Sequence, residues 1–115
     1  MISYEPGDVA LVRFPFTDLS STKKRPVVVV SPGRFSARYG DIVVLALTSS
    51  PQESELLKLE DWREAGLLKP TWIKPVLGTL ALQVLERRLG SLSTRDRARV
   101  TSVLRTMIIH EFLSS

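Results

Sequence analysis

A mainly β chain with one terminal α-helix, folded as a small and strongly bent β-barrel, is the architecture this sequence predicts. Three observations carry it: several short strand-like runs, turn residues between them, and a helical apolar stripe confined to the C-terminus. With 43% hydrophobic and 24% charged residues, the 115 residues suffice for one domain, 1–115, with its own core. No internal repeat, low-complexity tract or long linker divides it.

Residues 8–14 alternate, with Val9, Leu11 and Arg13 on one side and Ala10, Val12 and Phe14 on the other, which predicts the first strand. The four valines at 27–30 form an uninterrupted β-branched run, as expected of a strand covered on both faces. Residues 31–40 supply turn residues. Asp41-Ile42-Val43-Val44-Leu45-Ala46-Leu47 is a third buried strand, ending at Thr48-Ser49-Ser50-Pro51. Residues 54–59 predict a short strand, and 60–65 a single helical turn closed by Gly66. Residues 69–75 and 76–84 predict two further strands, the first an edge or bulged one because it contains Pro70 and Pro75.

Ser93-Thr94-Arg95-Asp96 has the form of a capping box, with Asp where Glu or Gln is usual. Beyond it Val100, Val103, Leu104, Met107, Ile108 and Phe112 recur at spacings of three and four. They predict one long helix packed by that face onto the barrel, with Arg95, Arg99, Thr106 and His110 mostly off the stripe. Arg87-Arg88 and Arg95, Arg97 and Arg99 read as a basic stripe on a solvated helix face, which an acidic partner could also use.

Composition removes several kinds of chemistry. The chain has no cysteine, so disulfides and thiolate metal sites are excluded. Its single histidine, His110, lacks a second imidazole for a His-based metal site or acid–base pair, and its place beside apolar residues points to a structural role. No run approaches the ~20 apolar residues of a membrane span. Met1-Ile2-Ser3-Tyr4-Glu5-Pro6-Gly7 lacks the basic-then-apolar signal pattern, so the expectation is a cytoplasmic protein. Sixteen Lys and Arg against twelve Asp and Glu leave a net charge of +4, which suits a polyanionic partner. Trp62 and Trp72 are assigned to packing or a subunit surface. Phe14 and Phe16 share a face; core is the first reading, with Phe16 also placed to stack on a base.

The most informative stretch joins the first two strands. The second strand is entered through Lys23-Lys24-Arg25-Pro26. Pro26 has a fixed φ and pushes Arg25 towards an extended conformation, so an arginine is held at the mouth of a buried strand. That is a preorganised anion contact, suited to phosphate. The bland alternative is a surface ion pair with Asp18 or Asp41, and for Thr48 an ordinary turn hydroxyl.

Gly7-Asp8-Val9, Phe14-Pro15-Phe16-Thr17-Asp18, Lys24-Arg25-Pro26-Val27-Val28-Val29, Leu47-Thr48-Ser49, Gly66-Leu67-Leu68-Lys69-Pro70-Thr71 and Leu89-Gly90-Ser91-Leu92 occur in that order. The set resembles the MazF/PemK family of type II toxin–antitoxin endoribonucleases over nearly the whole chain. The resemblance implies an SH3-like barrel with a C-terminal helix, usually a homodimer, that cleaves single-stranded RNA without a metal or other cofactor. It also implies a cognate antitoxin, with operator DNA bound, if at all, by the toxin–antitoxin complex. Carried over by motif, Arg25 and Thr48 are the catalytic residues, and Thr17, Lys23, Lys24 and Ser49 help hold the RNA.

The chain departs from the family in two places. Many relatives carry a Glu or His in the loop before the Arg-Pro, whereas Leu19-Ser20-Ser21-Thr22-Lys23-Lys24 has neither. Where some relatives have an Arg and an Asp after the Lys-Pro, this chain has Lys74 and Val76. Two rival expectations therefore stand beside the nuclease: a non-enzymatic poison of the gyrase-inhibiting kind on the same barrel, acting through its terminal helix, and a family member that binds RNA or antitoxin without cleaving.

Overall fold

The computed structural model describes residues 3–13 and 24–114. Phe14, Phe16, Thr17, Asp18 and Lys23 lie outside them. Five strands form one antiparallel sheet: β1 (Asp8–Arg13), β2 (Lys24–Val29), β3 (Asp41–Thr48), β4 (Trp72–Ala81) and β5 (Leu85–Ser91), in the order β4-β3-β2-β1-β5. Helix α1 (Gly33–Tyr39) links β2 to β3. The C-terminus is α2 (Thr94–Leu104), a π-helical turn (Arg105–His110) and α3 (Glu111–Ser114). The fold is mainly β with a C-terminal helix, as the sequence predicts. Among the described residues no ladder joins β4 to β5, so hydrogen bonds do not close the barrel.

Alternation builds two cores from one sheet. Val9, Val28, Leu45, Leu47 and Ile73 face the side covered by Val100 of α2 and by Leu59, Ala65 and Leu67. Ala10, Val12, Val27, Val29, Ile42 and Val44 face the other side, with Tyr4, Leu80 and Leu85. Burial of each Val, Leu or Ile contributes about 1.5–3 kcal/mol, so the valine run of β2 stabilises both cores. Trp62 packs against the first core, and Trp72 is buried beneath the Lys58 ammonium at 5.3 Å, both as expected for packing residues.

Four elements differ from expectation. Residues 31–40 contain α1, and the residues that read as a turn are its boundaries: Pro32 precedes it and Gly40, at φ 71°, closes it by donating to the Ser36 carbonyl at 2.8 Å. In place of a strand at 54–59 there is a 3-10 turn, Glu55–Leu57, where Ser54 Oγ accepts from the Leu56 N–H; only Lys58 bridges to Trp72. The strands expected at 69–75 and 76–84 are one strand, β4, followed by a 3-10 turn at Leu82–Val84. Pro75 does not break β4 because the β3–β4 register shifts between Leu45 and Leu47, which puts the proline in a bulge on an edge strand. Finally, β5 is a strand that the pattern did not reveal.

The terminal helix begins as predicted and then departs. Ser93 Oγ accepts from the Asp96 N–H at 3.3 Å, but the Asp96 carboxylate does not return to Ser93. It accepts instead from the Glu60 and Asp61 N–H groups at 2.9 and 2.8 Å, and is fully buried. Val100, Val103, Leu104 and Met107 meet the core. Ile108 and Phe112 do not; they are 40% and 77% exposed. The π turn places an extra residue in its turn and rotates the stripe away from the sheet.

The basic residues of α2 are engaged within the chain rather than forming a free stripe. Arg95 binds both oxygens of Asp61, at 2.7 and 2.6 Å; Arg99 binds Glu60 at 2.7 Å; Arg97 donates to the Pro6 carbonyl. Arg95, followed by the Ser93 hydroxyl, holds the Asp61 carboxyl down at about 2, against an ordinary 3.8. Because the folded value is depressed, the unfolded chain takes up the proton first as pH falls. The stability Asp61 contributes is therefore complete above about pH 4 and lost by about pH 2. Urea midpoints of the wild type and Asp61→Asn should converge over that window; a constant gap down to pH 2 would contradict the assignment.

Candidate functional site

The site lies where β2 begins and β3 ends. The register Val27↔Ala46 and Val28↔Leu45, carried two residues further, sets Arg25 opposite Thr48. Both residues line a cleft of about 550 Å³ and a smaller cavity of about 100 Å³ beside it. The adjacency that the two motifs require is thus present. Arg25 is exposed, and among the described residues no carboxylate pairs with it. Asp41 starts β3, at the opposite end from Thr48, paired with Ala81. The Thr48 hydroxyl accepts from the Ser50 N–H at 3.1 Å, which leaves its own proton to donate into the cleft. Ser49 lines the larger cleft beside it.

The floor of the larger cleft is apolar, with Leu11, Leu47, Leu67 and Leu89. Among the described residues its other charged lining residues are Lys24, Lys69, Arg87 and Arg88, with no Asp or Glu. A concave surface of one charge sign focuses potential and draws in anions. Lys24 is shared with a carboxylate outside the lining: its ammonium meets Glu86 at 2.8 Å, and Glu86 also takes Arg13 at 3.3 Å. Lys24 accordingly holds the Glu86 carboxyl below its ordinary value. Lys74 and Val76 line the smaller cavity with Arg25 and Thr48, so the positions that depart from the family face the site.

One wall of the cleft is built by glycines. Gly66 sits at φ 82°, and a Cβ there would lie 2.0 Å from the Leu89 carbonyl oxygen. A Cβ on Gly90 would lie 2.6 Å from the Ala65 backbone. Only glycine permits this approach, which lays the turn before Leu67 directly on β5. Thr71 then fixes Lys69 by donating to its carbonyl at 2.8 Å.

The arginines on β5 were not recognised as site residues from the sequence. Arg87-Arg88 belongs to a strand, not to the helix face, and both residues contribute to the cleft lining. Arg88 is held by Asp8 at 3.1 Å and lies over the Tyr4 ring. Burial raises the Tyr4 phenol above its ordinary value, with Arg88 opposing. His110 is exposed on the π turn and lines none of the site. Thr17 and Lys23, expected to hold RNA, fall outside the described residues. Among the described residues no group of three or more His, Asp or Glu side chains could hold a metal ion, and no helix is long and apolar enough to cross a membrane.

An antiparallel sheet with a terminal helix and a cationic, leucine-floored cleft at one end of its central strands defines a small β protein with an anion-receptive site. The chain belongs to the PemK-like, MazF-like toxins of type II toxin–antitoxin systems, whose family model matches residues 5–108. MazF from Deinococcus radiodurans has a similar structure, at 15% identity and a TM-score of 0.74, over 94% of this chain and 98% of that one. A MazE–MazF complex from the same organism gives 15% identity and 0.72, over 94% and 97%. An endoribonuclease from a Mycobacterial species gives 19% identity and 0.69, over 92% and 91%. At these identities the likeness is one of fold. A search of curated proteins gave no match.

Proposed function

We propose that this toxin is a sequence-preferring endoribonuclease that cleaves single-stranded RNA without a metal, with Arg25 and Thr48 as its catalytic residues. The observation that carries the reading is that Arg25, at the start of β2, and Thr48, at the end of neighbouring β3, line one cleft whose charged lining, among the described residues, is all cationic. In the reaction the ribose 2′-oxygen forms a bond to phosphorus and the bond to the 5′-oxygen breaks. A 2′,3′-cyclic phosphate and a 5′-hydroxyl result. Negative charge grows on the phosphoryl oxygens, where the guanidinium donates in a planar fork and the Thr48 hydroxyl adds another hydrogen bond. The 2′ proton leaves as the bond to phosphorus forms, and the departing 5′-oxygen takes up a proton as its own bond breaks.

Thr17, Lys23, Lys24 and Ser49 would hold the strand. Glu86 competes with RNA for Lys24. Glu86→Gln is expected to tighten binding of a short single-stranded RNA at low salt and to steepen the salt slope by about 0.7, one phosphate contact. Fluorescence anisotropy across a salt series reads this, and an unchanged slope would remove Lys24 from the interface.

The toxin would act in the cytoplasm as a homodimer and be silenced by a cognate antitoxin. Solved relatives crystallised with MazE or a cognate antitoxin support that partner. Exposed Ile109 and Leu113 leave an apolar helix end that a second copy would cover. That same helix end favours a second reading, a non-enzymatic toxin docking its target there. Incubation with a long single-stranded RNA in EDTA separates the two. Discrete cuts ending in cyclic phosphate support the nuclease; intact RNA with folded dimer supports the docking toxin.

A further inference from the structure

We propose that Arg87 is a second phosphate contact, gripping the RNA backbone at the nucleotide next to the phosphodiester held by Arg25 and Thr48. The inference rests on the nuclease reading above and assigns a residue to it.

The β1–β5 register carries the argument. Arg88 pairs with Ala10 and Arg87 with Leu11, and the register shifts lie outside this pair, between Val9 and Ala10 and between Leu11 and Val12. Within an unshifted stretch consecutive side chains point to opposite faces. Arg87 therefore shares a face with Leu11, which lines the cleft, while Arg88 turns to the face of Ala10, where it meets Tyr4. The two arginines are then used differently. Arg88 is committed to Asp8, Tyr4 and the Ser3 carbonyl, and its role is to hold the strand end. Arg87 is exposed, and among the described residues no carboxylate pairs with it.

The surroundings select the ligand. Leu11 lies between the two ends, paired with Arg87 on β5 and with Pro26, next to Arg25, on β2, and with Leu89 it contributes apolar lining to the cleft. A floor of that kind receives the flat face of a base while guanidinium groups bracket it at the backbone. Such a contact reads phosphate rather than sequence, so it positions the strand and sets affinity.

The test uses full-length protein, a cleavable single-stranded RNA, and the same RNA with a 2′-deoxy residue at the mapped cut, which binds without reacting. Arg87→Ala should weaken binding of the deoxy-substituted strand about tenfold and lower its salt slope by about 0.7 to 1. The loss should fall on KM rather than kcat and leave the cut position unchanged, and Arg87→Lys should restore most of it. If wild type cleaves and binds while Arg87→Ala matches it in KM and salt slope, the assignment of Arg87 is wrong and the nuclease reading stands. If kcat falls and KM holds, Arg87 is not a positioning contact. If wild type neither cleaves nor binds the RNA while folded, both readings fall together.

Discussion

Replacing Arg25 with alanine is expected to lower RNA cleavage about a hundred- to thousand-fold, with little change in fold. That magnitude is typical of removing one preorganised donor from a centre where charge develops in the transition state. Arg25 is exposed at the start of β2, outside both hydrophobic cores, so its loss creates no cavity. Pro26 fixes the strand entry whichever residue precedes it, so alanine should keep the backbone course. Thr48→Val should behave similarly, because valine keeps the shape and removes the proton donor. It also removes the acceptor for the Ser50 N–H, so the turn after β3 loosens. The pair acts on one centre, and the double variant should lose much less than the product of the single losses. Single-turnover cleavage with protein in excess reads the chemical step apart from binding. Retention of the wild-type cleavage rate in both single variants would end the assignment of Arg25 and Thr48 as the catalytic residues.

The sequence marks this pair in two ways. Arg25 stands out locally, because the proline after it holds it extended at a strand mouth; Thr48 alone reads as a turn hydroxyl and is marked only by its place in the ordered family motifs. The valine run of β2 is equally legible, since facing two cores requires no polar alternation. Arg87 is hidden for the opposite reason. Its orientation comes from its pairing with Leu11 across β1 and β5, and Glu86-Arg87-Arg88 carries no strand pattern of its own. Helix α1 was missed because its boundary residues are also turn residues. The reading of Ile108 and Phe112 as core failed because an unbroken 3.6-residue period was assumed through what is a π turn. In each miss the deciding interaction is non-local or is a departure from regular geometry.

Asp96 is the sharpest such case, and its replacement should be the most destabilising single change. Beside Ser93 it looks like half of a capping box. In the fold its carboxylate is fully buried and takes the N–H groups of Glu60 and Asp61, which lie 36 and 35 residues earlier. The carboxylate also sits in the first turn of α2, where the helix dipole favours negative charge. Asp96→Ala removes two charge-assisted acceptors and strands both donors beside the helix, an expected cost of about 3 kcal/mol. That is a large share of the total for a domain of this size, and the melting temperature should fall by about 10 °C. Asp96→Asn should recover part of the loss, since one amide oxygen can still accept while its NH2 faces a donor. The effect should also reach the site. The segment that Asp96 anchors continues into the turn at Gly66 and the Leu67–Lys69 wall of the cleft. Near the lowered melting point, RNA affinity should therefore drop more steeply than in wild type. Urea titrations with an unchanged m-value and a shifted midpoint read the stability term. A loss below about 1 kcal/mol would mean that water or a neighbouring acceptor satisfies both N–H groups as well as the carboxylate does.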